Sequence, residues 1–146
     1  MPRVIVLARG GTVASRFSPR DGAVIAGVSN EELVRGLSGF GSSVEITTEQ
    51  FCNIGSFLLT LDRAFRIVRR VEELMHAADV AGVVVTCGRD TMEEIAYLAD
   101  LLIASDKPVV FTGAQRHVGY PDSDGPRNLN AAILVSASEA SKASGP

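Results

Sequence analysis

The sequence has no tryptophan, two cysteines, two histidines and no long apolar run. Cys52 and Cys87 lie far apart and lack the paired spacing of a zinc motif or of a secreted disulfide framework, so we expect two buried thiols and no bound metal. The apolar runs at 82–85 and 99–103 are far shorter than the roughly 20 residues that span a bilayer. These absences exclude a membrane-spanning protein and a small disulfide-bonded secreted domain.

An excess of basic charge is also missing. The chain has 14 lysines and arginines against 17 aspartates and glutamates, a formal net charge of -3. Nucleic acid or an anionic membrane surface requires a basic patch, so we expect neither as a partner. A length of 146 residues with 46% hydrophobic residues suffices for a globular domain whose core needs no disulfide or metal.

The amino terminus superficially resembles a signal peptide, because Arg3 precedes an apolar run. Gly10 and Gly11 end that run after a few residues, and no cleavage site of small residues follows a longer one. Residues 3–8 therefore read as a buried strand, and we expect a cytoplasmic protein.

Apolar runs and helical periodicities alternate along the chain. The predicted strands are 3–8, 43–47, 82–86 and 108–112. Four helices are predicted. The first covers 30–37, and the second has apolar residues at helical spacing, namely Ala64, Ile67, Val71, Leu74 and Ala78. The third begins with a capping box at 91–94 and runs to about 103, and the fourth covers 129–138, after Pro126 at a position where the start of a helix tolerates proline. Residues 17–27 read as a mobile connection. This order predicts an α/β fold, three-layer α/β/α with a mostly parallel sheet and right-handed crossovers.

Neither an internal repeat nor a linker divides residues 1–146, which predicts a single domain. A sheet of this class often has more strands than the four or five recognisable here, so we expect the domain to be incomplete or to rely on a partner chain. The small polar residues at 141–146 predict a frayed tail.

Ligands of open parallel sheets bind at the carboxyl ends of the strands, here the loops 9–14, 53–57, 87–91 and 113–124. Gly10 and Gly11 allow a sharp turn that presents backbone N–H groups to an anion, with Thr12 beside them. Thr12 then has two interpretations, a nucleophile or the cap of a turn. The chain lacks both the dinucleotide-binding glycine pattern and the P-loop, so no nucleotide cofactor is expected.

Several segments together resemble the bacterial-type L-asparaginase family. They are Arg9-Gly10-Gly11-Thr12, Asn53-Ile54-Gly55-Ser56, Thr86-Cys87-Gly88-Arg89-Asp90-Thr91-Met92-Glu93-Glu94 and Ser123-Asp124-Gly125-Pro126-Arg127-Asn128-Leu129. The resemblance covers nearly the whole chain, with the motifs in the family's order. It implies the N-terminal asparaginase-type domain of an enzyme, without cofactor, that hydrolyses L-asparagine to aspartate and ammonia.

The resemblance also implies residue roles. Thr12 matches the nucleophile that forms an acyl-enzyme, and Asp90 the carboxylate that holds the substrate's α-ammonium. Ser56 matches a residue that contacts the α-carboxylate, and Gly11, Gly88 and Arg89 are further substrate-binding positions. Thr12 and Asp90 are the expected catalytic residues. The family further implies a homo-oligomer whose neighbouring subunit closes the pocket with a second, smaller domain.

The sequence departs from the family pattern at several of these positions. Arg89 replaces a second reactive threonine, and its guanidinium cannot accept a proton. Cys87 replaces a histidine, Arg9 a threonine, and Phe57 a substrate-binding glutamine. The loop after Thr12 contains no tyrosine, and we expect the family's catalytic lysine to lie beyond residue 146. These changes predict impaired activity.

Other polar residues favour ordinary structural roles. His117 is a general-base candidate that reads more simply as a loop residue, and His76 is a favourable charge late in a helix. Arg63, Arg66, Arg69 and Arg70 read as a solvated helix face rather than a phosphate site.

Three hypotheses remain open from the sequence. The first is an asparaginase-type amidohydrolase using Thr12, Ser56 and Asp90. The second is a catalytically inactive module that binds a small anion through Arg9 and Arg89. The third is a fragment that assembles with a full-length relative through its uncapped sheet.

Overall fold

The computed structural model describes residues 1–10, 14–21, 23–26, 32, 34 and 43–142. Its strands are β1 (Arg3–Ala8), β2 (Ser15–Ser18), β3 (Ala23–Ala26), β4 (Glu45–Gln50), β5 (Val80–Thr86) and β6 (Val109–Thr112). Its helices are α1 (Leu61–Met75), α2 (Met92–Leu102) and α3 (Gly125–Ala137), with 3-10 turns at Ser56–Leu58, Arg89–Thr91 and Glu139–Ser141. None of the helices in these ranges is long and apolar enough to cross a membrane.

Four strands form a parallel sheet in the order β4-β1-β5-β6. Val6 of the central strand β1 pairs in register with Thr48 on one side and Val84 on the other. β1 is apolar from Val4 to Ala8 because helices cover it on both faces, as is typical of parallel sheets. The predicted parallel sheet with helices on both faces is confirmed.

The alternation of side chains along β1 divides the core in two. Ile5 and Leu7 pack against α1 and α2, whereas Val4 and Val6 pack against α3. The buried residues of α1 are Ala64, Ile67, Val68, Val71 and Met75, which form one stripe along the helix. The described core is therefore a three-layer α/β/α arrangement.

Several predicted boundaries need correction. α1 ends at Met75, so Ala78 lies beyond it and is exposed, while Leu74 is only half-buried. β4 begins at Glu45 and β5 at Val80, each two residues from the predicted start. α3 already begins at Gly125, with Pro126 in its first turn as predicted.

Two local predictions were wrong. The segment read as a mobile connection contains the antiparallel hairpin β2–β3, in which Ser18 Oγ donates a hydrogen bond to Asp21 Oδ2 across the turn, 2.6 Å away. The capping box at the start of α2 does not form, because the Thr91 hydroxyl makes no cap hydrogen bond and donates instead to the Ser56 carbonyl, 3.4 Å away. The predicted helix at 30–37 and the end of the tail fall largely outside the described residues.

Candidate active site

The carboxyl ends of β1, β4 and β5 bring three loops to one edge of the sheet. The Ile54 N–H donates to the Arg9 carbonyl at 3.2 Å, which joins the loop after β4 to the chain leaving β1. The Arg9 N–H donates to the Thr86 carbonyl at 3.4 Å, which joins β1 to the end of β5. Backbone bonds therefore fix the positions of these loops before any side chain contributes.

Gly10 makes the turn out of β1 with a φ of 90°, a conformation that L side chains rarely adopt. A Cβ at this position would lie 2.8 Å from Asn53 Oδ1 and 2.9 Å from the Ile54 nitrogen. The first glycine of the pair is thus required by both conformation and space. Gly11 and Thr12 lie outside the described residues, so their predicted roles stay predictions.

Ser56 and Asp90 meet across β1. Ser56 Oγ donates a hydrogen bond to Asp90 Oδ2, and the second link between these loops is the Thr91–Ser56 bond described above. Ser56 is 4% exposed, while Asp90 is exposed above it. The two residues that sequence resemblance assigns to one ligand are therefore brought together by the fold, although 34 residues separate them.

Gly88 is buried against this pair. A Cβ on Gly88 would lie 2.6 Å from the Ser56 Cβ and would also meet the Ser56 hydroxyl. No real Cβ tolerates such a contact without a shift of backbone or side chain. Gly88 thereby lets Ser56 sit next to the loop that carries Asp90.

Arg89 and Phe57 are both exposed, unlike the buried Gly88 and Ser56 that precede them. Arg89 lines a surface groove of about 300 Å³ with Met92, Phe111 and Asn128, and has no ion pair among the described residues. The Phe57 side chain is 78% exposed. Arg89 and Phe57, which both depart from the family pattern, thus lie at the surface of the described region. In the sequence Phe57 directly follows Ser56, and Arg89 directly precedes Asp90.

Arg9 is the most unusual residue at this edge. Its side chain is 1% exposed, and within the described ranges none of its three guanidinium nitrogens has an oxygen or nitrogen acceptor, while the Cys87 thiol lies close enough to interact with it. Sequence reasoning missed this burial because arginine is almost never fully buried unless it is paired.

Both thiols lie near the Arg9 guanidinium, after β4 and β5. Burial raises the pKa of Cys87 to about 11, a rise that the nearby Arg9 charge opposes. Burial also raises the pKa of Cys52, against the charges of Arg9 and Arg63. Cys87 is buried as predicted, but Cys52 is only half-buried, so the expectation of two buried thiols was wrong for Cys52.

The long loop after β6 is organised by Asp124, a role that the sequence did not reveal. Its carboxylate accepts hydrogen bonds from the Gln115 and Arg116 N–H groups at 3.0 and 2.9 Å, which lower its pKa to about 2. Asn128 Nδ2 donates to Asp124 Oδ2 and to the Gly113 carbonyl, both at 3.0 Å. This network closes the loop onto the start of α3.

His117 and the arginines have structural contacts. His117 Nδ1 accepts from the Gly119 N–H at 3.1 Å, and its ring lies 4.2 Å from that of Tyr120. Arg63, Arg66 and Arg69 are exposed as predicted. Arg70 differs, because it makes a two-pronged ion pair with Glu49 and a further one with Glu73, and the Glu49 pKa is lowered mainly by this hydrogen bonding.

The arrangement defines an α/β protein with a candidate ligand site at the carboxyl edge of a parallel sheet, and comparisons with known proteins agree. The family model "Asparaginase, N-terminal" matches residues 3–146. L-asparaginase 2 of Bacillus subtilis is 33% identical over 99% of this chain and 40% of its own length. The glutaminase-asparaginase of Pseudomonas fluorescens biotype A is 32% identical over 99% of this chain and 41% of its own length.

A solved structure gives the same result. The crystal structure of the probable cytoplasmic L-asparaginase from Campylobacter jejuni matches with a TM-score of 0.87 and 32% identity, over 99% of this chain and 43% of that one. The chain therefore belongs to the asparaginase family, and both the resemblance and the predicted fold class are confirmed. It spans about two-fifths of the length of these relatives.

Proposed function

We propose that the chain carries the nucleophile-bearing part of an asparaginase-type amidohydrolase that releases ammonia from L-asparagine. The observation that carries the proposal is the Ser56–Asp90 pair, assembled at the edge where the Gly10 turn leads into Thr12. The names of the relatives, asparaginases and a glutaminase-asparaginase, support the same class of reaction.

The chemistry follows from the charges of an amino-acid amide. The exposed Asp90 carboxylate attracts the α-ammonium, and the Ser56 hydroxyl, once released from Asp90, donates to the α-carboxylate. Held at these two points, the ligand presents its side-chain amide to Thr12. Attack by the Thr12 hydroxyl forms an ester to the aspartyl group and expels ammonia, and water then hydrolyses the ester to aspartate.

The proposal includes impaired catalysis. A threonine nucleophile requires a group that accepts its proton, and Arg89 stands where the family pattern has a second reactive threonine. Phe57 similarly replaces a polar residue that would hold the carboxylate. We expect slow turnover as a result.

Assembly and location belong to the same proposal. By the family resemblance we expect a homo-oligomer in the cytoplasm, with L-asparagine as the small-molecule partner and neither nucleic acid nor membrane. Light scattering of the purified chain tests the oligomeric state directly, and a monomer at micromolar concentration would contradict it.

Arg89→Thr tests the catalytic proposal. Restoring a hydroxyl in place of the guanidinium is expected to raise ammonia release by about 100-fold, the lower end of the range typical of general acid–base catalysis. The matched control is Arg66→Thr on the exposed face of α1, which should leave the rate unchanged. An unchanged rate in Arg89→Thr would favour a binding role over hydrolysis.

A further inference from the structure

The buried guanidinium of Arg9 has no anionic partner among the described residues. Arginine keeps its charge at any usable pH, so Arg9 cannot escape the cost of burial by losing a proton. A buried charge without a partner destabilises a fold by several kcal/mol. Yet among the described residues the Arg9 nitrogens Nε, Nη1 and Nη2 have no oxygen or nitrogen acceptor, and the polar group beside them is the Cys87 thiol.

The neighbouring thiols do not supply that anion. Since the pKa of Cys87 is raised to about 11 and that of Cys52 is also raised, both are neutral near pH 7. A neutral thiol is only a weak acceptor and carries no charge. In the part of the chain that the structure describes, Arg9 therefore has two thiol neighbours but no counter-ion.

The position of Arg9 relates it to the candidate site. It is the first residue after β1, and β1 lies between the strand that precedes Ser56 and the strand that precedes Asp90. Cys52 and Cys87 follow β4 and β5, and the Cys52 thiol lies 3.5 Å from the Arg9 carbonyl oxygen. The Arg9 charge also acts on the pKa of both thiols, so the guanidinium lies near this edge of the sheet. Gly88, directly after Cys87, contacts Ser56. The guanidinium thus lies at the same edge of the sheet as the Ser56–Asp90 pair.

We propose that Arg9 binds the side-chain carboxylate of an acidic amino acid, so that the site holds L-aspartate more tightly than L-asparagine. The inference rests on the proposed assignment of Asp90 to the α-ammonium and Ser56 to the α-carboxylate. Besides the α-carboxylate, L-aspartate has a side-chain carboxylate that needs a cationic partner. Arg9 is the one unpaired buried cation in the described part of the chain. A guanidinium receives a carboxylate through two parallel hydrogen bonds, which a neutral amide cannot match.

Such selectivity has a direct consequence for turnover. The product of hydrolysis carries the carboxylate that Arg9 binds, whereas the substrate does not. Product is then retained, and L-aspartate inhibits ammonia release competitively. The Arg9 position therefore affects both ligand choice and rate.

Titration calorimetry on the 146-residue Thr12→Ala chain tests the proposal without interference from turnover. L-Aspartate is expected to bind about tenfold or more tightly than L-asparagine, the scale of one charge-assisted pair. Arg9→Met in the same background should remove this difference and, by deleting an unpaired buried charge, raise the melting temperature without ligand. Arg66→Met, the same change on an exposed helix face, should alter neither quantity.

The outcomes separate this inference from the proposed function. Equal affinity for the two ligands, or a preference that survives in Arg9→Met, overturns the role of Arg9 and leaves the amidohydrolase proposal standing. Absence of binding by either ligand overturns both. Succinate binding as tightly as L-aspartate would overturn the amino-acid class of the ligand. Should Arg9→Met fail to fold, Arg9→Thr is a second neutral variant, for which the same loss of preference is expected.

Discussion

The Ser56 hydroxyl donates a hydrogen bond to the Asp90 carboxylate and thereby joins the loop after β4 to the loop after β5. The central strand β1 lies between those two strands, and its carboxyl end leads through Gly10 into the segment with Thr12. A ligand that displaces the Ser56 hydroxyl from Asp90 would therefore engage both loops at the carboxyl edge of the sheet.

Gly88→Ala is expected to disrupt the Ser56–Asp90 pair. The new Cβ would lie 2.6 Å from the Ser56 Cβ, and such overpacking costs about 1–3 kcal/mol of stability. Urea denaturation measures this loss, and calorimetry with L-aspartate should show weakened binding. Adding Ser56→Gly removes the obstructing side chain, so the double variant should regain most of the stability but not the binding. A double variant no more stable than Gly88→Ala would show that the clash lies elsewhere.

Lys107 stabilises the end of α1. Its Nζ donates to the Met75 and Ala77 carbonyls, both at 2.7 Å, where the helix leaves carbonyl groups without helical partners. Lys107→Met keeps the length of the side chain but removes the donors, and should cost about 2 kcal/mol in the free energy of unfolding. Lys142→Met, at an exposed ion pair with Glu139, should change stability by less than about 0.5 kcal/mol. Equal effects of the two substitutions would contradict this role.

Asp124 makes stability depend on pH in the acid range. Its folded-state pKa of about 2 lies below its ordinary value of 3.8, so the carboxylate stabilises the fold above pH 3.8 and this stabilisation is lost as the pH falls through about 2. Melting temperatures measured between pH 2 and pH 5 should therefore fall less steeply in Asp124→Asn than in the native chain. The control Asp122→Asn, at an exposed ion pair with Arg116, should follow the native curve. Parallel curves for all three proteins would contradict the prediction.

The sequence predicted the sheet well because its strands carry a strong local signal. β1 was predicted with the bounds that it has, since its apolar run is ended by a glycine pair. The hairpin β2–β3 was missed because each strand has only four residues and the Pro, Asp and Gly residues between them dominate the local composition. Short strands depend on their cross-strand partners, which periodicity does not reveal.

The site was predicted only as far as motifs and topology extend. The parallel sheet places the loops with Ser56 and Asp90 at one edge, but their hydrogen bond depends on two 3-10 turns that the sequence does not indicate. The Thr91–Glu94 pattern predicted a capping box, whereas the Thr91 hydroxyl is taken by the Ser56 carbonyl, a contact from a distant loop. Arg9 was recognised as a departure from the family pattern, but its burial without a partner required the structure.

The role of Thr12 is tested by measuring ammonia release from L-asparagine by the 146-residue chain beside Thr12→Ala. The native chain should release ammonia slowly and Thr12→Ala should release none, because the hydroxyl of Thr12 is the proposed attacking group. Equal release by the two proteins would contradict Thr12 as the nucleophile. No release by either protein would contradict the claim that this chain is itself an enzyme.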